Sequence, residues 1–300
     1  MKLPHPIQYQ GSKRNLATQI LNYIPNNIDT LIEPFAGTAA LSVAAATQKN
    51  IKKFHINDLN EPLLNLLKLI IEKPEQIADF YETLWQQQHN DSVEHYYSVR
   101  KEFNQTQDSR LFLYLLARCA KGAVRYNNQG EMNQSPDKRR KGTQPATMRK
   151  NIFGVSALLK GKCYYSSNDY KQVLKNIGKN DLVYFDPPYQ GVCGNKDSRY
   201  FASINHAEFI AELEKLNQQQ VLYLISYDGK TGNKQYGEKL PDFLHLTCLE
   251  INAGRSAQAT LLGKQENTIE SLYISPALKQ RLSVISIKSV QSTQMNFCYA

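Results

Sequence analysis

The sequence predicts an α/β protein organised around a mainly parallel sheet, and three observations predict it. Short runs of β-branched and aromatic residues recur along the chain, and segments with helical spacing lie between several of them. At residues 31–41 a strand runs through a small-residue turn directly into a helix. Strands that alternate with helices form βαβ units, whose crossovers impose parallel pairing.

In chain order the expected strands are Thr30–Ile32, Lys53–Ile56, Cys163–Tyr165, Asp181–Phe185, Val221–Ile225, Leu244–Ile251 and Ser271–Ile274. The expected helices among them are Lys13–Tyr23, Thr38–Ala46, Asn60–Ile71, Asp169–Asn176 and His206–Leu216, chosen for apolar spacing or strong helix formers. The alternation stops between Ile71 and Lys160, where two helices, Ile77–Gln88 and Ser109–Lys121, stand without a strand. That stretch reads as an insertion. Its part from Gly122 to Lys150 is poor in aliphatic residues and rich in cations, so a surface loop or hairpin is expected there. The expected division is a catalytic unit of residues 1–71 and 161–280, an insertion at 72–160, and an edge strand or tail at 281–300.

Composition narrows the function classes. With 41% hydrophobic residues, 18 Tyr and 11 Phe in 300 residues, the chain can build a core and is not a disordered protein. Its longest apolar run, Leu111–Ala117, is far short of the ~20 residues of a membrane span. The N-terminal segment has no apolar core of a signal peptide, so a cytoplasmic location is expected. Five scattered cysteines without a CxxC pair support neither a disulfide framework nor a zinc site, and no metal is expected. A formal charge of +9, from 36 basic and 27 acidic residues, suits a polyanionic partner.

Two segments carry chemistry. In Glu33-Pro-Phe-Ala-Gly37 the glycine permits close backbone approach to a ligand, and the N–H groups opening the next helix are donors to it. Asp58 follows Gly37 by 21 positions, at the end of the next strand, where a nucleotide-binding βαβ unit presents a carboxylate to ribose hydroxyls. An ordinary αβ connection presents the same pair, and the G-x-G-x-x-G fingerprint of dinucleotide sites is missing. The second segment is Asp186-Pro-Pro-Tyr189, delivered by a strand to its carboxyl end. Asp186 and the Pro187 carbonyl form a pair of acceptors matched to the two hydrogens of an exocyclic amine, Pro188 stiffens the turn, and Tyr189 offers a stacking face. A strand end closed by a Pro-Pro turn reads equally well.

Taken together and in order, these segments resemble the Dam-type, D12 class DNA adenine N6-methyltransferases. Tyr9-Gln-Gly-Ser-Lys13 is similar to that family's N-terminal cofactor motif, Glu33–Gly37 to its glycine loop, Asp58 to its ribose-binding acid and Asp186–Tyr189 to its catalytic tetrapeptide. Arg125-Tyr-Asn-Asn-Gln-Gly-Glu-Met-Asn133 resembles its RYN-x-x-G-x-x-N signature, and Asp169 stands where the family reads the adenine of the cofactor. The loop departs from the family in reading PFAGTAA, where a second glycine is frequent, and after Asn133 in reading QSPDKRRKG.

The resemblance implies a Rossmann-like mixed sheet of seven strands with a helical target-recognition insertion. It implies S-adenosylmethionine as cofactor, bound by Tyr9, Lys13, Glu33, Pro34, Phe35, Ala36, Gly37, Asp58 and Asp169. Catalysis falls to Asp186, Pro187, Pro188 and Tyr189, acting on an adenine flipped out of double-stranded DNA. DNA contact falls to Arg125, Tyr126, Asn127 and Asn133, and to the run Lys138, Arg139, Arg140 and Lys141, which is otherwise a solvated charge cluster. A monomeric enzyme of a restriction-modification system, with a separate restriction endonuclease, is the expectation. The rivals are a cytosine N4-methyltransferase, whose target amine offers the same two hydrogens, and a degenerate DNA-binding protein.

Overall fold

The computed structural model describes residues 3–9, 11–88, 91–120, 124–188, 204–231, 234–236, 239–255 and 267–284. Its strands are β1 (Thr30–Glu33), β2 (Lys53–Asn57), β3 (Cys163–Ser166), β4 (Leu182–Phe185), β5 (Leu222–Thr231), β6 (Lys234–Tyr236), β7 (Thr247–Arg255) and β8 (Asn267–Ile274). Seven of them form one sheet in the order β3-β2-β1-β4-β5-β8-β7, and β6 pairs with the far end of β5. The pairings from β3 to β5 are parallel, while β8 runs antiparallel between β5 and β7. This is the expected mixed, Rossmann-like sheet. Its order reverses between β1 and β4, which opens a crevice at the carboxyl ends of those strands. The central strand β4, Leu-Val-Tyr-Phe, is buried throughout because both faces of the sheet are covered.

The helices are α1 (Ala17–Ile20), α2 (Ala40–Gln48), α3 (Glu61–Glu72), α4 (Pro74–Gln87), α5 (Ser92–Thr106), α6 (Ser109–Arg118), α7 (Pro145–Leu159), α8 (Tyr170–Val173) and α9 (His206–Gln218). Helix α3 shows how sequence sets a boundary. Asn60 caps it by accepting from the Leu63 N–H at 3.2 Å, Pro62 occupies its first turn, and Leu63, Leu66, Leu67 and Ile70 form its buried face. The insertion does not stand apart: Ile77, Tyr81 and Phe112 belong to the same core as Leu31 of β1 and Phe54 of β2.

Several elements differ from expectation. Helix α5 went unread because only Tyr96, Val99 and Phe103 of its fifteen residues are buried. The loop expected to reach Lys150 stops at Gln144, where Pro145 opens α7. Strands β5 and β8 extend past their apolar stretches into polar sequence, to Thr231 and back to Asn267. Residues 281–284 complete a helix spanning 276–284, not an edge strand, and the Arg281 guanidinium donates to Asn27 O and Asn180 Oδ1. The rest of the expected tail lies outside the described residues. No helix among the described residues is long and apolar enough to cross a membrane.

Candidate active site

A cavity of about 290 Å³ opens at the carboxyl ends of β1, β2 and β4. Tyr9, Lys13, Phe35, Gly37, Asp58, Asp169, Asp186, Pro187 and Pro188 all line it, so segments separated by more than a hundred residues in the chain converge on one space. Tyr189 lies outside the described residues. Glu33, Pro34 and Ala36 sit behind the wall and shape it from there.

The loop after β1 is held from within. Gly37 has φ +51°, a left-handed conformation that glycine adopts without steric cost. Ala39, two residues further along this loop, also adopts it, with φ +50° while fully buried. A Cβ there stores strain of about 1 kcal/mol or more. The Gly37 N–H donates to Asp58 Oδ2 at 2.8 Å, and the Asn60 N–H donates to Oδ1 at 2.9 Å. Asp58 is thereby fixed at the cavity wall. Burial pushes its pKa up, and these two backbone bonds oppose the shift. Similarly the Ser42 N–H in the first turn of α2 donates to Glu33 Oε1 at 2.9 Å. Burial raises the Glu33 carboxyl to about 7, against the pull of the Ser42 bonds and with a further push from the Asp186 charge.

Asn57, a residue the sequence reading missed, ties three strand ends together. Its Nδ2 donates to Pro34 O at 2.8 Å and to Asn168 O at 2.9 Å, while its Oδ1 accepts from Ser166 Oγ and the Asn168 N–H. An amide buried at the end of an apolar strand was the available signal, since such a group must find partners. Asp169 caps α8 through the Lys171 N–H at 2.9 Å. Beside it Tyr170 packs on Phe35 with ring centroids 5.3 Å apart, giving the cavity an aromatic flank.

Lys13 is buried at 6% exposure, and its ion pairs are with carboxylates: Asp186 Oδ1 at 3.0 Å and Glu270 Oε2 at 3.2 Å. Burial lifts the Asp186 carboxyl to about 6, with Lys13 lowering it and Glu270 raising it. Glu270 was not foreseen, because its strand was read as beginning at Ser271.

The segment 124–144 is held by its main chain. The Arg118 guanidinium, 1% exposed, donates to the carbonyls of Asp137, Arg140 and Ser92. Gln88 donates to Lys141 O, Tyr81 to Thr143 O, and Tyr96 and Arg100 both to Gln134 O. Asn104 bonds both the N–H and the carbonyl of Met132. The side chains of Arg125, Asn133, Lys138, Arg139, Arg140 and Lys141 stay exposed. Asn127 closes its own turn, accepting from the Gln129 and Glu131 N–H groups and donating to Glu131 Oε2. Tyr126 turns inward, and its hydroxyl accepts from Asn60 Nδ2 at 2.9 Å. The segment 124–144 and the loop after β2 at the cavity wall are therefore joined by one direct hydrogen bond.

A mixed seven-stranded sheet of this order, with an acid-lined cavity at its switch point, is the architecture of the class I methyltransferases. Within that class the chain belongs to the D12 class of N6 adenine-specific DNA methyltransferases, whose family profile matches residues 9–250. It is 29% identical over 188 residues to the DNA N-6-adenine-methyltransferase of Escherichia phage P1, covering 61% of this chain and 24% of that protein. It is 26% identical over 264 residues to the modification methylase StsI of Streptococcus sanguinis, covering 82% and 38%. It is 28% identical over 256 residues to the type II methyltransferase M.MjaIII of Methanocaldococcus jannaschii, covering 75% and 86%. The chain thus spans less than half the length of the first two relatives and most of the third.

Proposed function

We propose that this chain transfers the methyl group of S-adenosylmethionine to N6 of an adenine extruded from double-stranded DNA. One observation carries the reading: the Asp186 carboxylate and the Asp58 and Asp169 carboxylates line the same cavity. The walls suit the cofactor. Asp58 and Asp169 are acceptors for ribose hydroxyls and a purine amine, and Phe35 backed by Tyr170 is a flat partner for a ring. When bound, the cofactor supplies a methyl group on a sulfonium, activated for direct displacement.

The remaining work belongs to the chain. Adenine N6 is a weak nucleophile because its lone pair is delocalised into the ring. Asp186 and the Pro187 carbonyl accept its two hydrogens, favour tetrahedral nitrogen and hold it in line for attack. Tyr189 stacks on the extruded base, and stacking of this kind contributes roughly 1–3 kcal/mol per base. Arg125, Asn133 and the Lys138–Lys141 run meet the duplex, and Tyr126 and Asn127 shape the segment that carries them. The names of two relatives, a modification methylase and a type II methyltransferase, favour a role beside a separately acting restriction endonuclease.

The test is incubation with DNA and labelled S-adenosylmethionine, followed by nucleoside chromatography. N6-methyladenine is expected. N4-methylcytosine would transfer the reading to the cytosine enzymes, and an unlabelled product would remove both.

A further inference from the structure

Resting on that reading, we propose that Glu270 is a positioning residue for the transfer: by sharing the Lys13 ammonium with Asp186, it confines Lys13 to one oxygen of the catalytic carboxylate and leaves the other for the target amine.

Residue 270 sits on β8, opposite Gly229 of β5, beside an irregularity in β5 between Ser226 and Gly229. A Cβ at Gly229 would stand 2.6 Å from Ile269 O, so only glycine lets β8 approach this closely. That approach brings the Glu270 carboxylate to the mouth of the parallel half of the sheet. Lys13, carried by the 3-10 turn Lys13–Asn15, enters from the opposite end of the chain. Its ammonium has three N–H donors and lies 3.0 Å from Asp186 Oδ1 and 3.2 Å from Glu270 Oε2.

The charge pattern is costly unless it serves the site. Among the described residues the charged groups acting on or beside Asp186 are Lys13 from the N-terminal turn, Glu270 from β8 and Glu33 from β1. Lys13 therefore reaches both Asp186 and Glu270, where a pair with Asp186 would need only the one contact. A lysine paired to Asp186 alone would neutralise it and draw down the electron density that the amine requires. Glu270 divides that attraction and keeps Asp186 a strong acceptor. Its side chain, 21% exposed, is near enough to solvent for the fold to tolerate a neutral isostere.

The experiment compares the full chain with Glu270→Gln and Glu270→Asp, using Asp ¹³Cγ NMR to follow Asp186, whose resonance is assigned by its loss in Asp186→Asn. Removing the Glu270 charge should move the Asp186 midpoint to lower pH. In parallel, the acid limb of single-turnover methylation should move to lower pH, and the rate at pH 8 should fall roughly 10-fold. Glu270→Asp, which keeps the charge, should return the midpoint toward the wild-type value. A midpoint unmoved in Glu270→Gln overturns the proposal whatever the rate does. If the wild type methylated no adenine, the titration would still decide the Glu270 link, and only the proposed reaction would fall.

Discussion

The cavity at the ends of β1, β2 and β4 and the segment at 124–144 are built on opposite plans. In the cavity, side chains converge inward and main-chain N–H groups hold them there, as the Gly37 and Asn60 amides hold Asp58. In the segment 124–144, side chains of α4, α5 and α6, with Gln88 just beyond α4, grip main-chain carbonyls, and most of the segment's own side chains point out. A reaction centre needs fixed functional groups, so the backbone serves the side chains. An exposed segment without a core of its own needs a fixed frame, so the side chains of its neighbours serve the backbone.

The largest expected effect separates the two plans at the reaction centre. Asp186→Ala should lower single-turnover methylation by about 10³-fold or more, about 4 kcal/mol. Calorimetric binding of S-adenosylmethionine should be nearly unchanged, because Asp58 and Asp169 remain. A comparable loss of cofactor affinity would merge the two groups of carboxylates into one. The second effect falls on the frame. Arg118→Met takes a shared donor away from the carbonyls of Ser92, Asp137 and Arg140 and should cost about 3 kcal/mol in denaturant unfolding. It should also weaken discrimination between DNA sequences. Unaltered stability would mean that the loop is held by something other than Arg118.

The smallest effect tests what the frame displays. Replacing Lys138, Arg139, Arg140 and Lys141 with alanine should change stability by no more than about 0.5 kcal/mol, since all four are exposed. It should flatten the slope of log K against log salt for DNA binding by roughly 2 or more. A wild-type slope would show a solvated cluster that touches no phosphate, and a changed base preference at constant slope would put these side chains in a groove.

The same contrast explains what could be read from sequence. The cavity's residues were legible because their chemistry demands particular types at strand ends: Asp58 at its spacing from Gly37, Asp186 before two prolines. The strands themselves were legible from runs such as Leu182–Phe185, buried on both faces. Glu270 escaped because the polar stretch Asn267–Glu270 carries no strand signal, and only pairing with β5 and β7 makes it extended. Arg118 escaped for another reason. It ends an apolar helix and reads there as a favourable C-terminal cation, whereas its partners lie at Ser92, Asp137 and Arg140. Helix α5 was hidden by a thin apolar face, and its Asp91 cap, which accepts from the Val93 and Glu94 N–H groups, was the signal available.

A loop gripped by its carbonyls is indifferent to most of the side chains it carries. Every residue has a carbonyl, so the bonds to residues 134, 137, 140, 141 and 143 survive substitution at those positions. The segment that departs from its family's pattern after Asn133 is thus the segment whose architecture demands least of its own letters. Exposed side chains there can change without unsettling the frame that carries them. The inward-facing plan has no such freedom, because there the letters are the architecture.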